Sequence, residues 1–354
     1  MSQPNASSGR SCPDCDCANA SRREFLRTAA GTMAATAFSG GLLGAMPRIA
    51  RGADSSGSAA SETLVTQLYK SLDEKQRKTI CFPFDHPLRS KVDNNWLIIK
   101  QPIKAIFSPD QQDLVKQIFI GMHSEEYAQK VMQQVEHDNQ EGNAGGFAGC
   151  AVALFGQPVA AGDESKFEFV FTGRHVTRRC DGNSVEGEAF GGPIFYGHAA
   201  MGFNEAADHP GNIYWYQAKR ANELFQALDG KQRKIALRTD PRAEQGTDTV
   251  ALHGTDKDLP GIALADLTAD QKQLAWETMH DVLAPFRQTD AKKAMKLIEE
   301  AGVDKLHMAF YSVDDIGNDG VWDLWQIEGP SMVWYFRGAP HVHTWVHVRD
   351  PKAV

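Results

Sequence analysis

The segment Leu72-Asp-Glu-Lys-Gln-Arg-Lys78 returns as Leu228-Asp-Gly-Lys-Gln-Arg-Lys234, 156 positions later. Phe107-Ser-Pro-Asp-Gln-Gln-Asp-Leu114 returns as Leu267-Thr-Ala-Asp-Gln-Lys-Gln-Leu274 after 160 positions. Phe169-Val-Phe-Thr-Gly173 aligns with Trp325-Gln-Ile-Glu-Gly329, again after 156. Three echoes in the same order at nearly constant spacing predict an internal duplication. A duplicated chain must build one supersecondary unit twice and pack the copies, which rules out most architectures at once.

The two copies carry matching local signals. Ser108 before Pro109 and Asp110 marks a helix start, with serine as N-cap and proline at the first helical position; Thr268, Ala269 and Asp270 repeat it. A second helix should follow each, from Ser124 over Tyr127–Val135 and from Asp290 over Ala291–Ala301. Strand-like runs come next: 150–155, 167–172 and 175–179 in the first copy, and 306–312, 321–328, 331–336 and 341–348 in the second. The expected fold is α+β, two similar lobes (61–220 and 221–354) with paired helices on antiparallel strands.

Ahead of the repeats, Ser21-Arg22-Arg23-Glu-Phe-Leu-Arg-Thr28 precedes an uncharged stretch reaching Met46. This is the layout of a twin-arginine export leader, with Arg22 and Arg23 as its signature. The stretch is too rich in Gly, Ala, Ser and Thr for a stable span, which wants about 20 strongly apolar residues. Residues 1–53 are therefore expected to be a cleaved signal peptide and 54–60 a disordered linker. The expected location is periplasmic or otherwise exported, with the twin-arginine machinery as a partner and no stable membrane span after cleavage. The resemblance implies export in the folded state, which permits cofactor loading in the cytoplasm.

Loss of residues 1–53 removes six arginines and three acidic residues and moves the formal charge from −8 to −11. An acidic chain without a basic block excludes nucleic acid as an expected partner. Cys12, Cys15 and Cys17 leave with the leader, and Cys81, Cys150 and Cys180 allow one disulfide at most. Buried or unpaired thiols are the simpler expectation.

Histidines carry the clearest chemical signal. The last strand reads His341-Val-His343-Thr-Trp345-Val-His347-Val-Arg349-Asp-Pro351. Side chains alternate across a strand, so His341 and His343 share a face with Cα atoms about 7 Å apart. Two imidazoles so placed can converge on one ion, and a catalytic site then needs a third ligand and an open position. His347 stands a strand step too far without a bulge. His175 lies at the matching strand junction of the first copy, and His198 ends the aromatic segment after Gly191-Gly192-Pro193. Trp334, Tyr335 and Trp345 are expected to wall a pocket, Arg349 or Arg174 to hold an anionic group, and Glu328 to act as general base. A metal-free catalytic or purely structural role for these histidines competes with the metal reading. No phosphate loop, dinucleotide fingerprint, Gly-x-Ser-x-Gly elbow or haem motif occurs in the mature chain.

Taken together, the Leu-x-x-x-Gln-Arg helix starts, Gly173-Arg174-His175, Gly192-Pro193-Ile-Phe-Tyr-Gly197, Glu328-Gly-Pro330 and His341-x-His343-Thr…Arg349-Asp-Pro351 resemble an uncharacterised bacterial family, domain of unknown function 3500, over roughly residues 62–351. The resemblance implies no activity. It does imply a second histidine after the glycine; here that position is Arg174, which would remove one ligand from the first-copy set.

The expected function is thus an exported, histidine-ligated, metal-dependent enzyme, hydrolytic by default, acting on a small polar substrate. Zinc is the first expectation for the metal, copper or iron the next. A non-catalytic periplasmic ligand-binding protein is the alternative, and a metal-free hydrolase with histidine as acid and base the third.

Overall fold

The computed structural model describes residues 61–140, 145–158, 166–198, 212–313, 315 and 318–353. The expected leader, its cysteine cluster and the 54–60 linker lie outside the described residues.

Helices α1 (Ser61–Ser71), α2 (Glu74–Ile80), α3 (Pro109–Gly121) and α4 (Glu125–Asp138) come before the strands β2 (Ala151–Gly156), β3 (Phe167–Gly173), β4 (Val176–Cys180) and β5 (Ile194–His198). Helix α2 runs directly into the two-residue strand β1 (Cys81–Phe82). The order then recurs: α5 (Tyr216–Ala227), α6 (Gly230–Ala236) into β6 (Leu237–Arg238), β7 (Ile262–Ala263), α7 (Ala269–Leu283), α8 (Gln288–Ala301). The meander β8 (His307–Tyr311), β9 (Leu324–Gly329), β10 (Met332–Arg337) and β11 (Val342–Val348) follows.

All eleven strands join one mixed sheet of order β1-β2-β3-β4-β5-β11-β10-β9-β8-β6, with β7 paired to β8. From either edge the path runs from a two-residue parallel rim strand through four antiparallel strands to the centre, with β7 beside β8 as an addition on one side. Pairing is antiparallel through the middle, where Thr344 lies opposite Tyr196. It is parallel only at the rims, β1 with β2 and β6 with β8, because each rim strand enters from a helix rather than a hairpin. The two halves expected as side-by-side lobes of one compact unit share this one sheet, and the division expected after residue 220 falls inside α5.

The recurring Gln-Arg motif has the same contacts both times. Asp73 with Gln76 and Asp229 with Gln232 form capping boxes, as do Ser108 with Gln111 and Thr268 with Gln271. Gln111 Nε2 donates to Ser71 O at 3.0 Å and Gln271 Nε2 to Ala227 O at 2.8 Å. Arg77 Nη2 donates to Tyr69 O at 3.3 Å, and Arg233 Nε to the equivalent Phe225 O at 3.3 Å, so each arginine reaches back to the end of the preceding helix. The glutamines tie that helix to the next.

Two expected helix starts differ. Ser124 occupies the N-cap position of α4 but makes no cap bond; its Oγ donates across to Ala284 O at 2.7 Å. Helix α8 begins at Gln288, before Asp290, whose carboxylate sits in the first turn and pairs with Arg287 at 2.8 Å. Acidic residues suit the first turn as well as the cap, so composition alone does not separate them.

The sheet has two unlike faces. Helices cover one, where Phe119, Phe169, Phe171, Tyr196, Trp325, Trp334 and Val346 belong to the main core. On the other face, Phe195, Tyr311, Tyr335 and Trp345 pack with Val92 and Val250 from the covering loops. Strand alternation decides the split. It also sends Trp334 to the helix side, so only Tyr335 and Trp345 of the three expected wall aromatics share a face with His343. Cys81, Cys150 and Cys180 are free thiols.

Candidate metal centre

His175 sits in the turn between β3 and β4 with φ +58°, a left-handed conformation uncommon for residues other than glycine. Neighbouring elements fix this turn from both sides. The His175 amide donates to Asn94 O at 2.8 Å. Asn139, at the end of α4, accepts from the Arg174 amide at 2.8 Å and donates to the Arg174 carbonyl at 3.2 Å. The adjacent Asp138 meets His175 Nδ1 with Oδ2 at 3.0 Å and accepts from Gln134 Nε2 at 2.7 Å. A carboxylate at Nδ1 fixes the ring tautomer and leaves the Nε2 lone pair free to bind. That Nε2 is buried and has no hydrogen-bond partner among the described residues.

His343 stands on β11 at the middle of the sheet, opposite Gly197 of β5 and Arg337 of β10. Its Nδ1 lies 2.6 Å from Glu244 Oε2, and Glu244 Oε1 lies 2.5 Å from Arg337 Nε. Gly197 is required here, since a Cβ would fall 2.0 Å from the Val342 carbonyl oxygen. His341 enters from just ahead of the strand, and its Nε2 lies 2.9 Å from His343 Nε2.

The rings of His175, His341 and His343 lie 4.6–5.1 Å apart between centroids. One nitrogen from each falls within 4.8 Å of the others, and all three residues are buried. Burial first, and then the positive charge of neighbouring groups, Arg337 among them, hold His341 and His343 well below the usual imidazole range. Both are therefore neutral at pH 7, the form that donates a lone pair. Burial pushes the Glu244 carboxyl upward, with Arg337 pulling it back.

These residues fit a metal. With metal–nitrogen bonds of about 2.0–2.1 Å, two imidazole nitrogens at right angles to tetrahedral spacing are about 2.9–3.4 Å apart. The His341–His343 distance already falls in that range; His175 has to swing inward. Two of the three rings carry a carboxylate on the far nitrogen, the arrangement that orients metal-bound histidines. The group could thus hold a metal ion.

The other expected site residues lie elsewhere or beside the triad. Arg174 adjoins His175, and its charge is among those acting on His343. His198 lies opposite Val342 and so faces the helix side; its Nε2 meets Asn212 Oδ1 at 2.7 Å. His347 contacts Glu188 Oε2 and Val250 O, each at 3.1 Å, and Arg349 contacts Glu188 Oε1 at 3.1 Å. Glu328 is level with His347 across β10, paired with Arg242 and accepting from Gln326 Nε2 at 2.8 Å. Asp138, Glu244 and Arg337 escaped the sequence reading. Asp138 and Glu244 stand far from the histidines they support, and Arg337, though only four positions before His341, forms no recognisable motif with it.

A family model described as a protein of unknown function, DUF3500, matches residues 55–353. The chain belongs to this family. Comparison with curated proteins and with solved structures found no match. The centre must therefore be read from its own chemistry.

Proposed function

We propose that this protein is an exported enzyme whose His175, His341 and His343 hold a single transition-metal ion, zinc first, with copper or iron next. The convergence of three buried imidazoles carries the reading. Bound zinc supplies a Lewis acid that polarises a carbonyl or phosphoryl oxygen and acidifies water. The chain's own residues do the rest. Asp138 and Glu244 lock two rings in the tautomer that presents Nε2, and the surrounding aromatic packing of Phe195 and Trp345 keeps His343 in place. Hydrolysis of a small polar substrate is the reaction class that needs the fewest additional parts. Glu328 is already engaged by Arg242 and Gln326, and among the described residues the carboxylates hydrogen-bonded to the triad are Asp138 and Glu244.

Two parts of the same proposal concern the chain's history and address. The matching strand order of the two halves and the repeated capping contacts support an internal duplication. The Arg22-Arg23 layout supports export through the twin-arginine route. One experiment tests address and loading together, using protein recovered from the periplasm of its native host. About one equivalent of transition metal per chain is expected, as a three-histidine site with an open fourth position binds one ion. His341→Ala and His343→Ala should lose it, and the Arg22→Lys/Arg23→Lys chain should stay in the cytoplasm. Less than about a tenth of an equivalent in folded wild type would refute the metalloenzyme; export unaffected by the lysines would refute the route. Saturable ligand binding without turnover by metal-loaded protein would favour the periplasmic binding protein instead.

A further inference from the structure

We infer that the substrate of this centre ends in a small oxyanion, a carboxylate or phosphate, and that Arg337 holds it. The inference takes the metal centre as its setting but rests on the arginine. Arg337 closes β10 directly opposite His343, so both side chains stand on the same face with Cα atoms about 5 Å apart. Its Nε pairs with Glu244, and Nη1 reaches the Ala339 carbonyl at 3.4 Å. Its Nη2 is buried and finds no hydrogen-bond acceptor among the described residues.

Orienting His343 does not require this cation. At His175 the ring is oriented by Asp138, whose Oδ2 also accepts from the neutral Gln134. A full guanidinium beside Glu244 is therefore in excess of what ring orientation needs. Glu244 balances one charge, but a half-buried guanidinium with a buried, unused N–H, beside imidazoles that would hold a divalent ion, favours a second anion. The guanidinium fork matches the paired oxygens of a carboxylate or phosphate, which a lysine would not.

The test uses the full chain with acetate, inorganic phosphate and neutral acetamide as probes, at constant ionic strength in chloride. Cobalt-loaded protein reports through its visible absorption bands, and chelator-treated protein through its Tm. Acetate or phosphate should shift the bands saturably and raise the Tm, while acetamide does neither; which anion acts identifies the end group. Arg337→Gln should weaken that effect at least about tenfold with cobalt stoichiometry unchanged, and Arg337→Lys should fall between. Equal responses to acetate and acetamide, or unchanged anion affinity in Arg337→Gln, would overturn the inference. If Arg337→Gln does not fold, unchanged affinity in Arg337→Lys overturns it equally. If cobalt fails to bind at all, the metal reading falls while the Tm series still decides the role of the arginine.

Discussion

His175 spends backbone energy, of order 1 kcal/mol, to stand at φ +58° where a glycine would be comfortable. Such a conformation persists when surrounding groups over-determine it, and here Asn94, Asp138 and Asn139 do so from two elements. The consecutive pair Asp138-Asn139 grips the consecutive pair Arg174-His175, one holding the ring and the other the preceding peptide. Asp138→Asn should therefore leave the fold intact but lower metal affinity about 10–100-fold, the usual cost of losing a carboxylate behind a ligating histidine. Competition against a chromophoric chelator measures this, and an unchanged affinity would remove Asp138 from the centre. At this scale the sequence was partly legible. His341 and His343 declare themselves because one strand end presents both, and the repeat singled out His175. Asp138 and Glu244 lie 37 and 99 positions from the histidines they support, and nothing local ties them together.

Helix starts and the long strands were readable because caps and alternation are local physics. The Gln-Arg motif was visible too, although its purpose, bonding one helix to the next, needed the structure. Strand parity corrected Trp334, and an acidic first turn disguised the start of α8. The turn between α3 and α4 hides another arrangement that composition could not disclose. His123 there is fully buried; its Nδ1 lies 2.8 Å from Phe119 O, and its Nε2 accepts from Arg178 of β4 at 3.2 Å. Burial, and then the charge of Arg178, depress its pKa to about 3. Native His123 stays neutral while the unfolded chain binds a proton below the ordinary imidazole value of 6.5. Its contribution is thus complete above pH 6.5 and is lost as pH falls toward 3, at about 1.4 kcal/mol per pH unit. His123→Gln, which keeps a donor and an acceptor without titrating, should reduce the slope of unfolding free energy against pH by about that amount. Denaturant titrations between pH 6.5 and 4 check it, and an unchanged slope would contradict the assignment.

The whole molecule is where sequence reading fell shortest. One compact two-lobed unit was expected, but not that its halves share one continuous sheet joined through β5 and β11 at its centre. Strands β1, β6 and β7 have two residues each, too few for any alternation to register. The central join is also what makes the site. His175 comes from the turn leading into β4, His343 from β11 and His341 from just ahead of it, and β5 lies between β4 and β11 in the sheet. No helix of the described residues is long and apolar enough to cross a membrane. X-ray absorption at the metal edge of the loaded wild-type protein tests the central claim most directly. For zinc, the account predicts scattering from three imidazoles at about 2.0–2.1 Å and no sulfur at about 2.3 Å. A sulfur shell, or a single imidazole, would contradict it.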